Sequence, residues 1–168
     1  MIHNKDIYLI GDCLSKSSKA IEGANFEYNY TYDNGPGVVV KLNVEGEVTY
    51  DRLVKYGEKY LNDMQRLGSF YPFLNDGELL ILANEKESVL KDKTIVMGYD
   101  KINAKAIVLH TFDDSGEMKT VAFWNSKVGG KDDVVAFAPA KTIKLENNAF
   151  YIYAYGNKYQ SFGKITIR

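Results

Sequence analysis

Apolar and polar residues alternate in short stretches along most of this chain. Ile7 to Ile10 predicts a first strand. Residues 11 to 24 are small and polar, with SKSSK at their centre, and predict a loop. Phe26 to Tyr32 alternates with Phe26, Tyr28, Tyr30 and Tyr32 on one face and Glu27, Asn29 and Thr31 on the other. Strict period two is the mark of a half-buried strand. DNGPG at 33–37 is a cluster of turn formers, and Val38 to Val44 predicts the next strand.

The spacing then changes. Leu53, Tyr56, Tyr60, Leu61, Met64 and Leu67 fall on one side at helical intervals, with Arg52, Lys55, Glu58, Lys59, Asn62 and Arg66 opposite. Thr49 is a suitable N-cap, Val48 and Leu53 could form a staple, and Gly68 stands where a helix ends. These features predict a helix over 50–67. From Glu78 the pattern returns to short strands. They are expected at 78–83, 94–99, 105–112, 117–124, 134–137, 142–145, 150–155 and 158–168. DDSG between the strands expected at 105–112 and 117–124 suits a tight turn with Gly116 in the left-handed region.

About nine strands with close sequential spacing and one amphipathic helix (50–67) imply a mainly β, α+β fold. The expected form is an antiparallel β-sandwich or barrel with the helix packed on one face or end. Alternating strand–helix units are absent, which argues against a doubly wound sheet. The 168 residues, without internal repeats, fit a single domain spanning 1–168.

Charge narrows the partners. A net charge of -1 lacks the basic footprint of a general nucleic-acid binder. No apolar run approaches the roughly 20 residues of a membrane helix, so no membrane association is expected. The opening MIHNKDIYLIGDC lacks a basic start followed by a long apolar stretch, which predicts no secretory leader. The expected location is the cytoplasm, or a particle assembled there. The single cysteine, Cys13, cannot form an intramolecular disulfide and is expected to be a buried, inert thiol.

Catalytic chemistry is thinly represented, and no catalytic residue is assigned. His3 and His110 are the two histidines. His110 shares its strand face with Ala106, Val108 and Phe112, which predicts a core histidine. Asp113, Asp114, Asp132 and Asp133 are weak candidates for metal ligands. The calcium-loop spacing is missing, however, and aspartate in DDSG also serves its own turn. VGGKDD at 128–133 departs from the phosphate-loop pattern, because Asn125 stands where the first glycine belongs. No cofactor is expected.

The tyrosines remain. There are 13, against 8 phenylalanines and 1 tryptophan. In the run FYIYAY, Phe150, Ile152 and Ala154 share one strand face, while Tyr151, Tyr153 and Tyr155 share the other. Tyr28, Tyr30 and Tyr32 form a second row. Near the end, Lys164, Thr166 and Arg168 share a face, with Ile165 and Ile167 opposite. Such rows suit three roles: packing beneath other elements, contact with a protein partner, or stacking on a sugar, base or nucleotide helped by Lys164 and Arg168. The expectation is a non-enzymatic binding or assembly protein, with protein partners through self- or hetero-assembly. Its most concrete form is a structural subunit of a larger particle, such as a phage virion component. A ligand-binding module for carbohydrates or nucleotide-type molecules, or a small hydrolase, are the alternatives.

Overall fold

The computed structural model describes residues 1–23, 27–55, 58–61, 70–85, 106–125, 134–146, 149–156 and 160–167. They form antiparallel strands almost throughout. Five lie in the first part of the chain: β1 (Ile2–His3), β2 (Asp6–Gly11), β3 (Leu14–Ala20), β4 (Tyr28–Asn34) and β5 (Gly37–Leu42). β6 (Val48–Lys55), β7 (Glu58–Leu61), β8 (Phe70–Asn75), β9 (Glu78–Glu85), β10 (Ala106–Phe112) and β11 (Met118–Asn125) follow. β12 (Val134–Phe137), β13 (Ile143–Lys144), β14 (Ala149–Gly156) and β15 (Gln160–Thr166) complete the set, with a short 3-10 turn at Pro139–Lys141. These are more strands than the nine expected. The predicted strand 94–99 lies outside the described residues, as do Phe26, the 128–133 stretch and Arg168.

A central sheet in the order β11-β10-β9-β8 carries the core on both of its faces. On one face, Leu80, Leu82, Ile107, Leu109 and Phe73 pack against Phe137, Phe150 and Ile152. The last three belong to the C-terminal sheet, ordered β12-β14-β13 with β15 beside β14. On the other face, Leu79, Ile81 and Phe112 pack against Tyr8, Val39, Tyr50 and Val54 of the sheet β1-β2-β5-β6. Odd and even residues of β9 therefore both meet apolar neighbours, and every β9 residue after Glu78 is buried. A strand buried on both sides reads as a continuous apolar run, and ELLILA is one. Pro72 is tolerated in β8 because β8 is the sheet's edge. The β8–β9 turn uses Asp76 at φ 48° and Gly77 at φ 90°, two successive left-handed residues of the type that tight hairpins require.

The predicted helix is corrected. Val48–Lys55 and Glu58–Leu61 are strands, while 56–57 and 62–67 lie outside the described residues. The pattern VTYDRLVK satisfies both periods, and the tertiary setting decides between them. Tyr50 and Val54 are buried at strand spacing. Arg52, between them, donates from Nε to the Gly116 carbonyl at 2.8 Å. β5 offers β6 a full ladder from Val38–Leu53 to Lys41–Tyr50. A pair such as Asp51–Lys55 adds only about 0.2–0.5 kcal/mol to a helix, too little to oppose that ladder.

The remaining sheet, β3-β4-β7, is an extension of the first. Gly11 faces Val38 and Leu14 faces Asn34; Gly37 faces Lys55 and Asn34 faces Glu58. The three strands β2, β5 and β6 thus continue as β3, β4 and β7 beyond a break at Asp12–Cys13 and Gly35–Pro36. The DNGPG segment does not reverse the chain. The reversal comes at the tip, where the Ile21 N–H donates to the Glu27 carbonyl. Among the residues from Gly11 to Pro36 whose exposure is described, none is buried. This extension is an arm, and β3, expected to be a loop, is its outer strand.

Candidate functional site

Two tyrosine rows were expected, and both exist as strand faces. In β14, Phe150, Ile152 and Ala154 turn into the core and Tyr151, Tyr153 and Tyr155 turn away from it. The split follows from strand periodicity alone. The row is graded: Tyr151 is 48% exposed, Tyr153 half-buried and Tyr155 buried. β15 pairs along it in register, Tyr151 with Lys164, Tyr153 with Phe162 and Tyr155 with Gln160. β13 adds Ile143 opposite Tyr151.

The outcome is a patch on the outer face of the C-terminal sheet. Phe162 is 79% exposed and Ile143 61%. The Tyr153 and Phe162 rings lie 4.8 Å apart at 60°, and Tyr153 meets Tyr155 edge-on at 5.0 Å. Edge contacts of this kind hold rings in place. The Tyr153 hydroxyl pairs with Gln160 Oε1. Lys141 Nζ sits 4.5 Å over the Tyr153 ring, so that face of the ring is already occupied by a cation. Lys164 is exposed at the patch border. Phe162 is the residue that reading the sequence overlooked. It has the same parity as Lys164 and Thr166, so extending that face by one step would have found it.

The second row lies on the arm. Tyr28 is 49% exposed, and Tyr30 and Tyr32 are half-buried. Opposite them on β3 stand Ala20, Ser18 and Lys16. Lys16 Nζ lies 3.9 Å above the Tyr30 ring and 5.4 Å from that of Tyr32. Cys13, expected to be buried, is exposed at the root of the arm. An unforeseen apolar stretch occurs on the outer face of the first sheet, where Leu9 is exposed beside the neighbouring pair Val38 and Leu53.

Among the described residues, the weak candidates for chemistry are engaged in structure. Asp113 Oδ1 accepts from the Ser115 hydroxyl at 2.7 Å and from the Ser115 and Glu117 N–H groups at 2.9 Å each. Those bonds, the Ser115 hydroxyl first, hold its carboxyl below the ordinary aspartate value. Asp114 Oδ1 lies 3.5 Å from Lys41 Nζ. Asp132 and Asp133 lie outside the described residues. Among the described residues, no group of three or more acidic, histidine or cysteine side chains is placed to hold a metal. His110 is buried, as its strand face suggested. Its Nδ1 shares a 2.8 Å hydrogen bond with Thr120 Oγ1, and its Nε2 lies 3.8 Å from Glu85 Oε1.

A polar knot sits between the first and central sheets. Lys41 is buried, with Nζ 3.0 Å from Asp6 Oδ2 and facing the rings of Tyr8 and Tyr50. Burial alone would push its ammonium down. The hydrogen bond to Asp6 and the charges of Tyr8, Asp6 and Asp114 outweigh that and hold it above the ordinary lysine value. Burial pushes the Tyr50 phenol up to about 12 and raises that of Tyr8 as well. The β10–β11 turn closes over this knot: a Cβ on Gly116 would stand 2.5 Å from Tyr50 Cγ. Gly116 is therefore required twice, by this approach and by its φ of 78°. Its surroundings explain the knot as a structural anchor between sheets.

No helix among the described residues is long and apolar enough to cross a membrane. No protein-family model, curated protein or solved structure matches this chain.

Proposed function

We propose that this is a binding and assembly protein that works through the outer face of its C-terminal sheet, as a structural subunit of a larger particle such as a phage virion component. In this reading 1–168 acts as one unit, its stacked sheets forming a sandwich-like body. One observation carries the proposal: Ile143 stands opposite Tyr151, and Phe162 stands opposite the next residue of the same row, Tyr153, so that three exposed apolar or aromatic residues share one sheet face. Isolated exposed apolar residues are ordinary, but contiguous patches mark contact sites, and aromatic anchors dominate interface energy. Lys141 over the Tyr153 ring favours a protein partner over a stacked sugar or base, because a stacking ligand would have to displace it.

The test is the substitution Phe162→Ala. Light scattering after size-exclusion chromatography, together with binding to any recovered partner, should show association weakened at least tenfold. Surface substitutions of this kind normally leave stability within about 0.5 kcal/mol. A parent chain that stays monomeric at high concentration, with no partner that distinguishes Phe162→Ala, would overturn the reading.

A further inference from the structure

The arm ends in an edge. β3 is the outer strand of β3-β4-β7, and all seven of its residues, LSKSSKA, are exposed. Among the described residues nothing pairs with its outer side, and such an edge is a template for another strand. Which groups it offers follows from the ladder. The Gly35 N–H donates to the Cys13 carbonyl and the Ile21 N–H to the Glu27 carbonyl. In the β3–β4 register, Cys13 and Ile21 both have the odd parity. Odd residues of β3 therefore spend their backbone groups on β4, while Leu14, Lys16, Ser18 and Ala20 direct theirs outward.

We propose that this edge pairs with the same edge of a second copy of the chain, antiparallel and centred on Ser17. This deepens the assembly reading and rests on it, but uses a different surface. The centring is selected by the residues. An antiparallel β3–β3 pair must join outward residues to outward residues. Among such registers, the one centred on Ser17 is the one that pairs the whole strand, Leu14 with Ala20 and Lys16 with Ser18 of the other copy. It sets Lys19 against Ser15. Centring on Lys16 or Lys19 would place like charges directly opposite, which is destabilising. Lys16 is also drawn inward over Tyr30, away from the seam. The two-fold axis then stands perpendicular to the sheet. The contact is isologous, and the Tyr28–Tyr30–Tyr32 rows of both copies lie on one side of a continuous sheet.

The pairing is small, so it is expected to be weak in dilute solution and to gain from the repeated contacts of an assembly. Disulfide trapping suits such a contact. At the centre, Ser17 meets its own counterpart in a non-hydrogen-bonded pair, with Cα atoms about 4.5 Å apart, a spacing that a disulfide spans. In the full chain carrying Cys13→Ser, Ser17→Cys should give at least tenfold more disulfide-linked dimer under mild oxidation than Ser15→Cys or Ser18→Cys. Ser17→Lys, which sets like charges at the axis, should abolish the arm-mediated dimer at low salt without changing the circular dichroism spectrum. Equal linking at all three positions, or preferential linking at Ser18, overturns the register. The absence of linking at Ser17 overturns the edge pairing. If linking fails while Phe162→Ala still weakens association, the arm inference falls and the assembly reading stands. If Ser17 links and Phe162→Ala has no effect, the role of the C-terminal face falls.

Discussion

β9 and β3 are strands of similar length in the same chain, and they are opposites. β9 is buried on both faces after its first residue, and β3 is exposed on both. Neither alternates in sequence, since alternation arises only where the two faces differ. ELLILANE is apolar because two layers press on it. LSKSSKA is polar because none does among the described residues. Stability belongs to the first kind of strand, and availability for contact to the second.

The contrast predicts unequal responses to equal damage. Leu82→Ala removes a side chain that is fully buried between the central and C-terminal sheets. It should cost about 2–5 kcal/mol, read as a lower midpoint in denaturant unfolding. A loss below about 1 kcal/mol would mean that the two sheets do not share a core. A smaller loss is expected from the Lys41 knot in alkali. Tyr50 and Tyr8 hold their protons more tightly when folded, as does Lys41. Their contribution is complete below pH 10 and declines as the pH rises through about 12. Denaturant midpoints measured across that range should fall, and Tyr50→Phe should flatten the slope. The smallest effect belongs to the arm. Leu14→Ala, at a residue 52% exposed, should change the unfolding free energy by no more than about 0.5 kcal/mol. A larger loss would show that the arm is stabilised by a packed layer.

The same contrast explains what could be read from sequence. The β10–β11 hairpin around DDSG and the two-faced β14 were legible because their turn chemistry and alternation are local. β3 was not, because a strand with water on both sides has the composition of a loop. β6 was misread because Leu53 opens a helical series with Tyr56, Tyr60 and Leu61, while Tyr50 and Val54 share a strand face, and only the ladder from β5 discriminates. The Tyr151–Tyr153–Tyr155 row was found as a face, but its gradient from exposed to buried goes with the pairing of β12 beside Tyr155, which alternation within β14 does not encode. The structural duty of Asn84 was invisible for the same reason. Its amide donates to the Phe137 carbonyl at 2.7 Å and accepts from the Phe137 N–H at 2.9 Å, standing in for a strand neighbour between two sheets.

The continuity of β2, β5 and β6 into β3, β4 and β7 has a mechanical consequence. A pull applied at the tip of the arm, along its length, reaches the body as shear. The crosswise hydrogen bonds of the antiparallel ladder are then strained side by side, and many must yield together. Peeling would break them in turn at far lower force. The arm is therefore a handle set lengthwise into the grain of the body, strong against traction and weak only against being prised sideways.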